Sequence, residues 1–267
     1  MPAFQKEIVQ KLVKSKTFIW TVSLPFVAVI FILSYFVSIK DLIIFPNANA
    51  FNYNFYTDNA TGGNSEITQQ VVNDSLIRLD FKLKKGIASP YIGITISPKT
   101  GSVIQLKNYN ELKIKIKGTN FDNLNVSFFA RNPYPEKIKK SPEISFYTIL
   151  KISSTARTYT LGFDSFNVPD WWYELNSINQ TMIRKPTFST ITNLNIANAY
   201  SPMAGKNQSL QISSLVFSRN NGPLALLLLL CELGVFFAAF MIWYFTLASM
   251  PSSVARRLFI SPVTSPT

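Results

Sequence analysis

Two long apolar runs bracket a middle region in which apolar and polar residues alternate. The first run, residues 17–39, has no charged residue, and the second, residues 223–248, has one, Glu232. A helix needs about 20 apolar residues to cross the hydrocarbon core of a bilayer. The pattern therefore predicts transmembrane α-helices at 17–39 and 223–248. Since a carboxylate inside a span is costly unless paired, Glu232 either contacts a partner helix or lies close to the membrane interface.

The lysines and arginines outside these runs predict their orientation. Residues 1–16 carry four lysines and one acid, and residues 249–267 carry Arg256 and Arg257. Because positive residues beside a span favour the cytoplasmic side, both tails are expected in the cytoplasm. Residues 40–221 would then lie outside a bacterial cytoplasmic membrane, in the periplasm or extracellular space. The first run is interpreted as an uncleaved signal anchor, and a cleaved signal peptide is the alternative.

The alternation in the middle region has the period of a β-strand. It extends over residues 76–84 and is strict over 112–117, where lysines and aliphatic residues take turns. Such alternation puts the apolar side chains on one face of a sheet. Eight strands are predicted, at residues 76–84, 91–96, 112–117, 124–130, 146–152, 158–163, 191–197 and 210–217. The last has an irregularity at Ser213 and Ser214, and residues 41–64 are interpreted as an extended lead-in and a loop. Short strands separated by Asn, Gly and Pro predict a mainly β domain, a β-sandwich.

Composition narrows the chemistry that this domain could perform. The chain has no histidine, and its one cysteine, Cys231, lies in the second apolar run. This excludes histidine-based catalysis, a disulfide framework and a cysteine-based metal site. The net charge of +12 comes from 26 basic and 14 acidic residues that are spread along the chain. No basic cluster is dense enough to indicate nucleic-acid binding, and the spacing of the acids singles out no glycosidase pair.

Three stretches carry a resemblance to known domains. The segment FYTDNATGGNSEI, followed by LIRLDFKLK and SPYIGITI, resembles the opening of galactose-binding-like jelly rolls. The family 11 carbohydrate-binding modules and the related complex I assembly-factor domain are the members that it is most similar to. The matching positions are Asp58, Gly62, Gly63, Ser65, Tyr91 and Gly93. Residues 108–132, 156–172 and 193–217 resemble later strands of that fold. The resemblance covers most of residues 50–219 and implies a jelly-roll β-sandwich.

Several residues are candidates for a ligand site. Glycan sites combine aromatic rings with polar side chains, so we single out Arg78, Asp80, Arg131, Tyr134, Trp171, Trp172 and Tyr173. The first four could line a concave groove or belong to a solvated sheet face. The three aromatic residues are placed in a loop that could plug the sandwich, form a ligand platform or insert into a membrane surface. Asp58, beside the Gly62–Gly63 turn, is a weak candidate for a structural calcium site, and no other cofactor is expected.

These expectations combine into a membrane-anchored protein that is not an enzyme. The leading hypothesis is a binding or scaffold subunit, whose outer jelly roll binds a glycan or an envelope protein and whose helices dock into a larger membrane complex. Glu232 would be the intramembrane contact. The alternative hypothesis is the periplasmic part of a sensor whose cytoplasmic output domain follows this sequence. A glycan-processing enzyme is the third hypothesis, although no motif supports it.

Overall fold

The computed structural model describes residues 40–131, 142–182, 189–199 and 204–222. Within the flanking apolar segments it also describes residues 28, 29, 31, 32, 226–228, 230, 231, 233, 234, 237 and 238. The chain divides into two compact units, Lys40–Asn220 on one hand and Met1–Ile39 with Asn221–Thr267 on the other. Among the described residues, no helix has the length and apolar character needed to cross a membrane. Most of both predicted spans, and Glu232, lie outside the described residues, so the transmembrane helices stay a prediction.

The unit Lys40–Asn220 consists mainly of strands that form two antiparallel sheets. The strands are β1 (Leu42–Phe45), β2 (Phe51–Thr57), β3 (Glu66–Val72), β4 (Ile77–Lys82), β5 (Ile92–Pro98), β6 (Ile104–Gln105), β7 (Glu111–Thr119), β8 (Asn123–Arg131), β9 (Glu143–Lys151), β10 (Arg157–Gly162), β11 (Thr190–Ile191), β12 (Asn193–Asn198) and β13 (Asn207–Ser218). The six-stranded sheet has the order β10-β7-β13-β4-β3, with β1 also paired to β13, and the five-stranded sheet has the order β2-β5-β12-β8-β9. The short strands β6 and β11 pair separately.

Alternating side chains from the two sheets form one core. In β4 the buried residues are Ile77, Leu79 and Phe81, and their neighbours in sequence point to the other face. The strand β12 does the same in the five-stranded sheet with Leu194 and Ile196. Burial of these aliphatic and aromatic side chains is the main stabilising term for such a sandwich. The predicted mainly β sandwich is therefore confirmed, and each of the eight predicted segments contains a strand.

The long strand β13 contains the predicted irregularity. Its pairing with β7 shifts between Ile212 and Ser214, so Ser213 is the extra residue of a β-bulge. The bulge lets apolar residues on both sides of it, Ile212 and Leu215, point into the core. The prediction at Ser213 and Ser214 is confirmed.

Three parts of the domain differ from the expectation. Residues 41–57 are not a lead-in, because they form β1 and β2. The strand β3 was not predicted, since five of its seven residues are exposed and it has no apolar face to alternate. The loop expected around Trp171 is instead helix α1 (Asp170–Asn176), which ends at Ser177 in the left-handed conformation with φ 55°. Seven residues are too few for a helical period to be recognised in sequence.

The two ends of the domain leave it side by side. The strand β1 pairs antiparallel with the end of β13, where Leu42 lies opposite Phe217. Two adjacent residues fix these ends. The Tyr109 hydroxyl donates to the Lys40 carbonyl at 3.2 Å, and the Asn110 side chain bonds both the amide and the carbonyl of Asn220 at 2.7 and 3.1 Å. Whatever precedes Lys40 and follows Asn220 therefore starts from one place on the domain.

Candidate functional site

The outward face of the five-stranded sheet is built from uncharged residues. Cross-strand neighbours form a row from Asn54 through Thr95, Asn195 and Ser127 to Tyr147. A second row runs from Tyr56 through Gly93, Ala197 and Asn125 to Ile149. We call this surface the amide face, and its residues are Asn52, Asn54, Tyr56, Gly93, Thr95, Ser97, Asn125, Ser127, Phe129, Ser145, Tyr147, Ile149, Asn193, Asn195 and Ala197. The charged residues of these strands lie only at strand ends, at Arg131, Glu143 and Lys151.

Two depressions adjoin on the amide face. The first has a volume of about 560 Å³ and lies between Tyr56, Asn125 and the segment 85–91. The second has a volume of about 470 Å³ and lies between Asn125, Tyr147 and Trp171. Because Asn125 lines both, the two depressions together form a groove across the sheet. We call it the amide groove, and each of its two parts is large enough to hold a small-molecule group.

Three amides of this face have oxygens that are not satisfied within the domain. The Oδ1 atoms of Asn125, Asn193 and Asn195 are buried and have no hydrogen-bond partner among the described residues. A buried polar atom without a partner costs about 1–3 kcal/mol, so proteins keep few of them. The terminal torsion of an asparagine is broad, and rotation about it turns either the oxygen or the nitrogen outward. A ligand with hydroxyl groups would satisfy these amides.

Two adjacent tryptophans of helix α1, one buried and one exposed, lie beside the second depression. In helix α1, Trp172 is 2% exposed and donates its indole N–H to the Glu143 carbonyl at 3.0 Å. Its neighbour Trp171 is 54% exposed and lines the depression together with Tyr147. The buried residue fixes the helix, so the backbone of Trp171 is held at the rim of the second depression. A fixed aromatic ring loses little conformational entropy on binding and offers a flat apolar surface.

A pair of tyrosines closes the first depression. Tyr56 lies over Gly93 on the neighbouring strand, where any Cβ would come within 2.6 Å of the phenol oxygen. The rings of Tyr56 and Tyr91 are 6.1 Å apart. Burial raises the pKa of Tyr56 to about 12, and the nearby Tyr91 raises it as well. The phenol is therefore neutral at physiological pH, so the two tyrosines add no charge to this end of the groove.

The predicted groove residues do not come together. Arg78 and Asp80 lie on β4 of the six-stranded sheet, where they form an ion pair at 2.8 Å that also includes the Ser209 hydroxyl. Arg131 lies at the end of β8, in the other sheet, and is exposed. Tyr134 lies outside the described residues. The groove of the amide face is thus built from other side chains.

The remaining predicted site residues have different environments. Of the three adjacent aromatic residues only Trp171 is exposed, whereas Trp172 and Tyr173 are buried. Asp58 is fully buried, and its carboxylate accepts hydrogen bonds from the Ser65 amide, the Ser65 hydroxyl and the Tyr91 amide at 2.9, 2.7 and 3.3 Å. No three acidic, cysteine or histidine side chains cluster around a metal-sized space in the described part of the chain. The calcium site at Asp58 stays a prediction.

Sequence reasoning missed the residues that form the amide groove. Asn125 and Tyr147 lie on predicted strands, but only their strands were recognised and not their outward positions. Tyr56 lies in a segment that was interpreted as a lead-in. The available signal is the lack of charge at the outward positions of the segments LNVSFFA and NLNIAN, in contrast to the lysines of LKIKIK. It marks a face that is not simply solvated.

Comparison with known proteins yields distant structural likenesses. No family model and no curated sequence matches the chain. A family 11 carbohydrate-binding module from a cellulosomal cellulase of Clostridium thermocellum aligns with a TM-score of 0.46 and 12% identity, over 68% of this chain and 94% of that one. The Clostridium thermocellum family 11 module in complex with a β-1,3-1,4-mixed-linked tetrasaccharide has a TM-score of 0.44 and 12% identity, over 67% and 95%. A family 30 module of another cellulosomal cellulase from that organism has a TM-score of 0.39 and 14% identity, over 69% and 100%. At these values the likeness carries no conclusion about a ligand, which has to come from the amide groove itself.

Proposed function

We propose that the amide groove binds an uncharged oligosaccharide. A sugar ring offers hydroxyl groups around its edge and apolar C–H groups on its faces. The groove offers the complementary groups, amides and hydroxyls on Asn125, Ser127 and Ser145, and aromatic rings on Tyr147 and Trp171. Sites with a few convergent polar groups and apolar walls bind small ligands in a fixed orientation. The strands of the groove floor carry no charge, and the walls hold one basic and one acidic residue, Lys85 and Asp170, which favours a ligand without net charge.

The unpaired amide oxygens are the observation that carries this proposal. Asn125 lines both depressions, whereas Asn193 and Asn195 lie on the neighbouring strand of the amide face, outside their lining. The unsatisfied Oδ1 atoms of all three are acceptors for hydroxyl groups. Binding rather than catalysis fits the acids beside the groove. Asp170 accepts a hydrogen bond from the Gln180 amide at 2.9 Å, and Glu143 accepts one from the Thr192 hydroxyl at 2.6 Å. Only Asp170 lines the groove, so its described part presents a single carboxylate and not the pair that glycoside hydrolysis needs.

We also infer that the apolar segments 17–39 and 223–248 hold this domain on the outer side of a bacterial cytoplasmic membrane. Support comes from the two domain ends at Lys40 and Asn220, which leave the domain together and so can enter one membrane side by side. Described residues of the segments expose large apolar side chains, among them Phe31 at 72% and Phe237 at 65%. A contact of Glu232 with a partner protein belongs to the same proposal. Release of the full chain from membranes by alkaline carbonate would contradict it.

The glycan proposal is tested with the full chain in detergent. Binding to a panel of neutral oligosaccharides is measured by calorimetry for the wild type and for Asn125→Ala, Trp171→Ala and Lys115→Ala. We expect one class of oligosaccharide to bind, with an affinity about tenfold lower in each of the first two variants, since a central aromatic or polar contact contributes about 1.4 kcal/mol or more. Lys115 lies on the opposite sheet and serves as the control. Equal affinities in all four proteins, or no binding by the wild type, would contradict the proposal.

A further inference from the structure

One wall of the amide groove is a short loop whose two ends are both fixed. This wall loop, residues 85–90, connects β4 to β5 and lines the first depression with Lys85, Ile87, Ala88, Ser89 and Pro90. Most of its residues are exposed. It therefore contributes little burial of its own, and the groove keeps its shape only if other groups fix the loop.

The first end of the wall loop is fixed through Asp58 and Ser65. The Lys84 amide donates to the Ser65 hydroxyl oxygen at 3.2 Å, and this hydroxyl donates in turn to Asp58 at 2.7 Å. The Ser65 amide donates to the other oxygen of Asp58 at 2.9 Å. Asp58 and Ser65 are both buried, so these bonds are shielded from water and stronger than exposed ones.

The second end is fixed through Asp58 and Asn198. The Tyr91 amide donates to Asp58 at 3.3 Å. The Asn198 side chain donates to the Pro90 carbonyl at 3.1 Å and accepts from the Ile92 amide at 2.7 Å. Asn198 is 6% exposed, lies at the end of β12 and itself lines the first depression. Two buried polar residues, distant in sequence, thus hold three consecutive residues at the end of the loop.

Two glycines allow the turn 58–65 to approach the wall loop this closely. Any Cβ at Gly63 would collide with the Asp58 carboxylate, and one at Gly86 would lie 3.0 Å from the side-chain nitrogen Nδ2 of Asn64. Gly62 has φ +85° and turns the chain between Asp58 and Ser65. The residues that share the jelly-roll resemblance, Asp58, Gly62, Gly63, Ser65 and Tyr91, are therefore the support of one groove wall.

We propose that Asp58 and Asn198 are positioning residues, which act through the wall loop to set the shape of the first depression and the affinity for the sugar unit that it holds. The sugar part of this inference rests on the proposed function, whereas the fixing of the loop does not. A carboxylate suits Asp58 because all three neighbouring groups donate to it. An amide at this position would place its own N–H groups against one of those donors.

Proteolysis tests the fixing of the loop without any ligand. Trypsin cleaves after Lys84 and Lys85, which lie at the first end of the wall loop. Cleavage at these two bonds is followed by mass spectrometry in the full chain, for the wild type, Asp58→Asn, Asn198→Ala and the milder Ser65→Ala. We expect cleavage at Lys84 and Lys85 to be about tenfold faster in the three variants, because each loses a buried hydrogen bond of the loop. Asp74→Asn, an exposed site with the same loss of charge, is expected to behave as the wild type.

The outcomes separate a positioning role from a general loss of stability. Wild-type cleavage rates at Lys84 and Lys85 in all variants would overturn the proposal, as would equal acceleration at every other lysine of the domain. Ser65→Ala decides the case if Asp58→Asn does not fold. If the panel finds a glycan, longer oligosaccharides that reach the first depression should lose about tenfold in affinity in Ser65→Ala, whose residue does not line that depression, and short ones should not. Faster cleavage without any glycan binding would support the fixed loop and contradict only the proposed ligand.

Discussion

The two outer faces of the sandwich differ in charge although both consist of half-buried strands. The six-stranded sheet presents a charged face, made by the outward residues Arg78, Asp80, Lys82, Lys113, Lys115 and Lys117 of β4 and β7. The five-stranded sheet presents the amide face, where asparagine, serine and threonine stand at the corresponding positions. Buried and outward residues alternate along the strands of both sheets, so the difference in charge between the two faces is not imposed by the fold.

The two faces also differ in how their polar groups are satisfied. On the charged face, Asp80 pairs with Arg78 at 2.8 Å, and Glu111 pairs with Lys113 at 3.0 Å. On the amide face, three amide oxygens stay unpaired. In each pair the basic side chain is partly exposed and the acid is largely buried, so the pair satisfies a carboxylate that would otherwise have no charged partner. A face that leaves buried acceptors open is instead suited to a partner that donates hydrogen bonds, which is why the proposed site lies there.

The largest expected change in glycan affinity comes from placing a lysine, typical of the charged face, on the amide face. Asn195 lies at the centre of the amide face, between Thr95 and Ser127. We expect Asn195→Lys to lower glycan affinity at least a hundredfold, about 2.7 kcal/mol, because a long charged side chain beside Ser127 would extend over the second depression. The reciprocal variant Lys115→Asn should change neither affinity nor the free energy of unfolding by more than about 0.5 kcal/mol. Calorimetry measures the glycan affinity and denaturant unfolding measures the stability of both variants. Tight glycan binding by Asn195→Lys would show that the site does not lie on the amide face.

Alkaline pH should destabilise the amide face through Tyr56. Its pKa is raised from 10.0 to about 12, so the folded state favours the neutral phenol. The resulting stability is fully present below pH 10 and is lost as the pH rises from 10 to about 12. At about 1.4 kcal/mol for each pKa unit, the loss amounts to about 2–3 kcal/mol. Unfolding free energies of the wild type and Tyr56→Phe, measured against pH, should diverge in this range. Parallel curves would show that Tyr56 is not held in a buried site.

Much of the fold follows from the sequence where charge marks one side of a strand. The lysines of residues 112–117 and the charges of 76–84 make the alternation plain, and both segments form strands. The strand β2 is not recognised from sequence because its outward residues, Asn52 and Asn54, belong to types that are also typical of loops. The edge strand β3 is not recognised from sequence because it has no buried face. A strand is thus recognised from sequence only when its two faces differ in polarity.

The candidate site follows from the sequence much less well than the fold. Asn125 and Asn195 are 70 positions apart along the chain, and they share a surface only because β8 pairs with β12 in one particular register. A slip of β12 by one residue would turn Asn195 toward the core and leave Asn125 on the outer face. Predicting the groove therefore needs the strand order, which local patterns do not contain. The exposed Trp171 could be anticipated, since three adjacent aromatic residues cannot all be buried in an extended chain, but its position on a helix beside Tyr147 could not.

Acid should lower the free energy of unfolding through Asp80 on the charged face. We expect this effect to be smaller than the effect of alkaline pH on Tyr56 of the amide face. Burial opposes the ionisation of Asp80, but hydrogen bonds from Arg78 and Ser209 outweigh it and hold the pKa of this carboxyl below its usual value of 3.8. A lowered pKa in the folded state adds stability above pH 3.8, which is lost as the pH falls through the folded value. The Arg78 side chain is 42% exposed, so solvent screening limits the contribution to about 1 kcal/mol or less. Asp80→Asn should remove this acid dependence, visible as a flatter plot of unfolding free energy against pH below 4, and should leave glycan affinity unchanged. A loss of affinity in Asp80→Asn would show that the two faces are coupled through the core, which would contradict a site confined to the amide face.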